Sequence, residues 1–258
     1  MSGAGAAIVT GAASGIGAAT ALALARRGVD VVVDYRQNRS GAEAVAAECR
    51  ALGARACAVA ADVADDAQCR ALAAAALAEF GRIDYLVNNA GVSKFVAHAN
   101  LDGLDAVDFA RIFAVNVTGA FQMARAVLPA LRASGRGAIV NVASIAGSCG
   151  VGSSVAYAAS KAALLNLTLT LARALAPEVR VNAVAPGFVD TPWQLAGLGP
   201  ERLARAVAAV SEGTPLRAVT RPADVADAVV WLLEGARHVT GETVHVDAGL
   251  HLKVGQFG

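Results

Sequence analysis

Short apolar runs alternate along this chain with longer stretches in which alanine and leucine recur at helical spacing. The runs are Ala7–Thr10, Val29–Asp34, Arg55–Ala60, Ile83–Asn88, Ala138–Ala143, Val179–Ala185 and Thr243–Asp247. Most are apolar throughout rather than alternating, which is the pattern of strands covered on both faces. Between them Ile16–Arg27, Gly41–Leu52, Ala64–Phe80, Leu104–Ala133 and Val155–Ala176 read as helices. Strand–helix alternation of this kind predicts an α/β fold, a doubly wound parallel sheet of about seven strands with helices on both faces. A longer insertion, Gly187–Trp231, separates the last two runs and has helical stretches of its own.

Composition narrows the class. A chain of 258 residues, 56% apolar, can bury one large core, and no repeat or low-complexity linker interrupts it. One domain, 1–258, is the expectation. A formal net charge of +1 without like-charge runs gives a nucleic acid or an anionic membrane nothing to hold. No unbroken apolar stretch is long enough to span a bilayer, and residues 1–5 lack the features of a signal peptide. The four cysteines show neither C-x-x-C nor zinc-like spacing, so they read as reduced thiols of a cytoplasmic protein with no metal site.

Candidate chemistry sits at two places. Thr10–Gly17 reads TGAASGIG, directly after the first run and opening the first helix. Gly11 lets the chain turn sharply, while Gly15 and Gly17 let backbone approach a pyrophosphate and let the helix pack close to the sheet. The helix N-terminus adds unpaired N–H groups and a partial positive charge. Gly11, Ser14, Gly15, Ile16 and Gly17 are therefore candidate dinucleotide contacts. The plainer alternative is a small-residue packing turn, because the spacing is neither G-x-G-x-x-G nor a Walker loop.

Farther on, Tyr157 and Lys161 stand at i, i+4 on one predicted helix and so share a face, with Ser144 ending the fifth strand. An ammonium beside a phenol stabilises the phenolate and lowers a pKa that is ordinarily about 10. A phenol tuned in this way can exchange a proton with an alcohol near neutral pH. Singly, each residue has a duller reading: Ser144 as a turn cap, Tyr157 as core, Lys161 as a solvated face, Asn116 as a helix bend.

Together these motifs resemble the short-chain dehydrogenase/reductase family, nearest its 3-oxoacyl-carrier-protein reductase branch. They are TGAASGIG, Asp62-Val63, NNAG at Asn88–Gly91, Asn116, Ser144, YAASK at Tyr157–Lys161, and Pro186-Gly187. The likeness runs from Ala7 to Asp247. It implies a single Rossmann-like domain with strand order 3-2-1-4-5-6-7, a nicotinamide cofactor, and interconversion of a ketone, 3-oxoacyl compounds included, with a secondary alcohol. By the same resemblance Tyr157 is general acid and base, Lys161 tunes it and holds the nicotinamide ribose, and Ser144 donates to the substrate oxygen. Asn116 would hold a proton-relay water. Asp62 and Val63 would lie at the adenine, and Asn89, Ala90 and Gly91 along the cofactor. Pro186, Gly187, Val189 and Thr191 would hold the nicotinamide end. Asp62 could equally be the N-cap of the helix after Val63. The competing functional class is a non-catalytic dinucleotide-binding sensor or scaffold, which needs only the cofactor half.

In the family, the end of the second strand reads the adenosine ribose. Counting from Gly28, its discriminating acidic position falls on Tyr35, followed by Arg36. Asp34 lies one residue early, and one residue reverses a strand side chain. Arg36, helped by Arg39, favours NADP(H), because a guanidinium fork suits a 2′-phosphate. NAD(H) is the alternative if Asp34 meets the ribose, and both arginines could simply be solvated. Residues 92–99, VSKFVAHA, depart from the segment typical after NNAG in the carrier-protein reductase, and no basic cluster awaits an acidic carrier. The expected partner is thus a small-molecule carbonyl or alcohol. An insertion around 187–215 serves as substrate lid, with Trp193 and Leu195 as an apolar ceiling or as ordinary packing. Family tetramers imply a homotetramer or homodimer, with helices bearing Asn116 and Tyr157 packing between subunits.

Overall fold

The computed structural model describes residues 5–253. Its strands are β1 (Gly5–Val9), β2 (Val29–Tyr35), β3 (Ala56–Ala60), β4 (Tyr85–Asn88), β5 (Gly137–Val142), β6 (Val179–Pro186) and β7 (Thr243–Val246). All pair in parallel, in the order β3-β2-β1-β4-β5-β6-β7. The winding reverses between β1 and β4, and such a switch point opens a crevice at the carboxyl ends of the strands.

Helices α1 (Gly15–Ala25), α2 (Arg39–Ala51) and α3 (Asp66–Phe80) follow the first three strands. After β4 come α4 (Ala106–Phe113), a π-helical segment Ala114–Gly119 and α5 (Ala120–Ser134). The short α6 (Ala146–Cys149) and long α7 (Val155–Leu175) lie between β5 and β6, and α8 (Pro192–Leu198), α9 (Pro200–Gly213) and α10 (Pro222–Val230) lie between β6 and β7.

Side-chain alternation sends β2 into two cores. Val31 and Val33 pack with Leu24 of α1 and Val229 of α10, whereas Val32 packs with Leu72 of α3 and Leu86 of β4. Asp34, at the next even position, points with Val32 toward the α3 side. Both layers are dry: Ile8, Leu24, Leu72, Leu86 and Ile139 are fully buried, each contributing about 1.5–3 kcal/mol through area removed from water. A polar chain also crosses the core. Asn88 Nδ2 donates to Asn141 Oδ1 at 2.9 Å, and Asn141 Nδ2 donates to Thr168 Oγ1 at 2.9 Å, so β4, β5 and α7 are pinned together.

Three expectations change. Helix α3 begins two residues later than the pattern suggests, because Asp65, not Asp62, caps it: its carboxylate accepts from Ala67 N at 2.8 Å and Gln68 N at 3.3 Å. The long helix expected over Leu104–Ala133 starts from a capping box at Asp105 and passes through the π turn at Ala114–Gly119. Finally, α7 is long and apolar enough by length and composition to cross a membrane, although interrupted by Ser160 and Lys161. In this fold it lies along β6 and directs those two polar side chains inward, both being buried.

Candidate active site

A cavity of about 370 Å³ occupies the crevice over the carboxyl ends of the strands. Its floor begins with the glycine turn. Gly11 has φ 61°, and a Cβ there would stand 3.0 Å from Ala90 Cα, so a side chain would drive the turn off β4. A Cβ at Gly17 would meet Gly11 O at 2.7 Å, which holds α1 tight against the turn. Ser14 occupies the N-cap position of α1 but makes no side-chain cap bond, leaving the first-turn N–H groups available to an anion. Asn89 holds the turn in shape, its Nδ2 donating to Thr10 O at 2.8 Å and Gly11 O at 3.0 Å. The two asparagines of NNAG thus divide the work: Asn88 faces the core and Asn89 the turn.

At one end of the cavity wall stand Asp34, Tyr35, Arg36, Asp62 and Val63. Arg36 is half exposed and pairs with Asp62 at 3.6 Å, while Asp62 Oδ1 accepts from Ala64 N at 3.0 Å. Arg39 does not join them; it starts α2, is largely exposed, and reaches Glu43 at 3.9 Å. Asp34 is 2% exposed, its Oδ2 accepting from Gly11 N at 3.0 Å and its Oδ1 having no partner. Burial pushes its carboxyl up to about 7, against the Gly11 hydrogen bond and with help from the charge of Asp62.

At the other end, Ser144, Tyr157 and Lys161 converge. The Ser154 hydroxyl caps α7 by accepting from Tyr157 N at 3.3 Å, which sets the first turn carrying the phenol. Lys161 is 3% exposed; its Nζ donates to Val142 O at 2.8 Å and lies 5.6 Å from the centre of the Tyr157 ring. Burial lowers the Lys161 ammonium to about 8. The phenol of Tyr157 is not lowered as the sequence argument expects. Burial pushes it up to about 12, only partly offset by its hydrogen bond with Ser144. Lys161 spends a donor on the β5 carbonyl and faces the ring rather than closing on the hydroxyl, so desolvation outweighs its charge.

The expected site residues Gly11, Ser14, Gly15, Ile16, Tyr35, Arg36, Asp62, Val63, Asn89, Ala90, Gly91, Ser144, Tyr157, Lys161, Pro186, Gly187, Val189 and Thr191 all line this one cavity. Gly17 and Asn116 do not. Gly17 is consumed in packing, as above. Asn116 is 1% exposed and sits behind the wall in the π turn, a distortion that often marks functional sites. Its Nδ2 donates to Val92 O at 3.0 Å and Ser160 Oγ at 2.9 Å, and its Oδ1 accepts from Val92 N at 2.8 Å. It therefore ties the strand-end loop after NNAG to α7.

Over the phenol, Trp193 of α8 stands 5.7 Å from the Tyr157 ring and 5.1 Å from Phe95, centre to centre, forming an aromatic ceiling. Leu195 faces away and is exposed. Sequence reasoning missed Phe95 and the burial of Asp34. A charged residue closing the run VVVD was the available signal for the second; nothing local marked the first.

Residues 11–251 match the family model described as Enoyl-(Acyl carrier protein) reductase. A cis-4-hydroxycyclohexanecarboxylate dehydrogenase of Sinomonas cyclohexanicum is 43% identical over 94% of this chain and 95% of its own. The chain belongs to the short-chain dehydrogenase/reductase family. A 3-oxoacyl-[acyl-carrier-protein] reductase of Synechocystis is 38% identical over 95% of this chain and 96% of its own, which places this member near that branch. Levodione reductase superposes with a TM-score of 0.89 at 31% identity, covering 96% of this chain and 98% of that one. This short-chain dehydrogenase/reductase is an oxidoreductase of the ketone/alcohol kind, and a role as a cofactor-only scaffold gains no support from its relatives.

Proposed function

We propose that the protein interconverts a ketone and a secondary alcohol, 3-oxoacyl compounds lying within the substrate class, with NADP(H) preferred over NAD(H). One observation carries the reading: Ser144, Tyr157 and Lys161 share a single cavity with the glycine turn. The free N–H groups of α1, the glycine turn beside them and the arginine at the far wall fit a dinucleotide laid along that cavity. When bound, the nicotinamide supplies or accepts the hydride.

The chain supplies the proton chemistry. A phenol with its pKa near 12 is protonated throughout the neutral range, the form needed to donate to a carbonyl oxygen during reduction. The Ser144 hydroxyl, hydrogen-bonded to that phenol, is positioned to steady negative charge on the same oxygen. An ammonium that titrates near 8 remains charged at neutral pH and favours the phenolate left behind. Trp193 and Phe95 close the site with apolar surface, which excludes water from the reacting oxygen. Arg36 on the wall supports the NADP(H) preference.

The assembly is a homotetramer or homodimer in the cytoplasm. Exposed apolar side chains on α4, α5 and α7 and four free thiols support this, and fractionation of expressing cells tests the location. For the reaction, Tyr157→Phe removes the proton donor alone. Its turnover of ketones with NADPH should fall by at least a hundredfold while the cofactor Kd changes less than threefold. Unchanged kcat in that variant would exclude Tyr157 as the acid.

A further inference from the structure

Asp34 is a carboxyl group with no place in the proton-transfer chemistry. It is the last residue but one of β2, follows an apolar run, is 2% exposed, and accepts through Oδ2 from the N–H of Gly11, the first glycine of the turn. Its Oδ1 has no hydrogen-bond partner. An ionised carboxylate would leave that oxygen both unsolvated and unpaired, and such burial is costly. The neutral acid has a smaller penalty, because the group left unpaired is then uncharged.

The groups facing Asp34 do not supply a counter-charge. From the β3–α3 connection comes Asp62, whose charge raises the Asp34 pKa and whose own partner is Arg36 at 3.6 Å. From α3 comes Cys69, a thiol that burial pushes up to about 12 and that is therefore neutral. Asp65 and Asp66, at the start of α3, add negative charge around the same thiol. From β1 and α1 comes the glycine turn; the backbone N–H groups of Ala61 and Tyr35 also favour the carboxylate, but burial outweighs them. Tyr35, which ends the strand, and Arg36 just after it line the cavity.

We infer that Asp34 is a proton-linked positioning residue of the dinucleotide site, which accepts its anionic ligand with Asp34 as the neutral acid and releases it on Asp34 ionisation. The inference rests on the proposed dinucleotide reading. Its physical reason is placement. A negative charge bonded to the back of the phosphate-binding turn cancels the positive potential that the turn and the α1 N-terminus present to a pyrophosphate. By linkage, the bound anion in turn holds the proton on Asp34.

Kd for NADP+ and for NAD+ is to be measured by titration calorimetry from pH 5.5 to 8. With a free carboxyl that titrates near 7 and a complex that keeps the proton, Kd should rise about tenfold between pH 6 and pH 8. Binding at pH 7 should take up about half a proton, read from the heats in buffers of different ionisation enthalpy. A 2′-phosphate losing its second proton would bind Arg36 more tightly as pH rises, the opposite sign; NAD+ lacks that group, and below pH 7 the Lys161 ammonium, which titrates near 8, stays charged, so NAD+ in that range isolates Asp34. Asp34→Asn keeps the shape and cannot ionise, so its Kd for NAD+ should be flat from pH 5.5 to 7, below the titration of Lys161. A wild-type Kd that is flat or tightens with pH, the absence of proton uptake, or a slope that persists in Asp34→Asn overturns the inference. Should that variant not fold, wild-type proton uptake at pH 6.5 decides: Lys161 is charged there, and Asp34 should take up about a quarter of a proton. Failure of either dinucleotide to bind at any pH would overturn the functional reading itself, a different result from pH-independent binding.

Discussion

Arg36 shows how much a single side chain can decide at the adenosine end of the cavity. It is half exposed and held at 3.6 Å from Asp62, a distance at which an ion pair contributes little and a better anion can recruit the guanidinium. A 2′-phosphate is that anion, because it accepts two parallel donors from the fork. Arg36→Ala should therefore raise KM for NADPH about tenfold or more while leaving KM for NADH within about twofold. Steady-state kinetics with both cofactors measure the ratio of kcat/KM; an unmoved ratio would remove Arg36 as the discriminator. Arg39, expected as a helper, contributes nothing of the kind, since Asn38 caps α2 and turns that side chain to solvent. Which arginine lines the cavity depended on where one helix begins.

The helices carry a second message at their outer faces. Val107 and Phe109 on α4, Phe121 on α5 and Leu169 on α7 are large apolar side chains left exposed at 73%, 37%, 40% and 51%. Isolated exposed apolar residues are ordinary, but α4 packs against α7, and both pack against the π segment that leads into α5, so these side chains suit burial between copies. The double substitution Val107→Glu/Phe121→Glu should convert the assembly to monomers in light scattering without changing the far-ultraviolet circular dichroism. A wild-type monomer would remove the assembly proposal. A double variant with the wild-type mass would place the interface elsewhere. The π turn between α4 and α5 belongs to this scale too: it lets Asn116 point back to Val92 and Ser160, which a regular helix pattern in the sequence concealed.

Across the whole molecule, one buried carboxylate fastens the edge opposite the cavity. Asp84 is buried, its Oδ2 accepting from Ala6 N and Arg82 Nε, both at 2.8 Å, and its Oδ1 from Arg136 Nε at 2.7 Å. Burial raises its pKa, yet the hydrogen bonds with Arg82 and Arg136 and the Ala6 N–H together hold it below the ordinary value. A depressed carboxyl contributes stability that is present above its unfolded pKa and is lost as pH falls through the folded value. Asp84→Ala should cost about 3 kcal/mol at pH 7, the low end for a broken buried pair because both arginines are partly solvated. The cost should shrink as pH falls below about 4; a constant loss in denaturant titrations would show that packing, not charge, is responsible. Asp34 has the opposite sign. Its folded pKa is raised, so its contribution is full below the ordinary carboxyl value of 3.8 and declines as pH rises toward about 7.

Strand runs such as VVVD and GAIVNV, the glycine turn and the YAASK spacing are local patterns, so the parallel α/β class, the turn and the shared face of Tyr157 and Lys161 were legible in the sequence by itself. Each depends on periodicity or on a few adjacent residues. Tertiary structure alone decided what desolvation does. It raised Tyr157 where an adjacent ammonium suggested lowering, and it buried Asp34 beneath Gly11, 23 residues away in the chain. It also brought Phe95 against Trp193 across nearly a hundred residues, set Asn116 behind the cavity wall in hydrogen bonds to Val92 and Ser160, and spent Gly17 on packing. The electrostatic environment of a side chain is a sum over neighbours from many segments, and no local spacing encodes that sum.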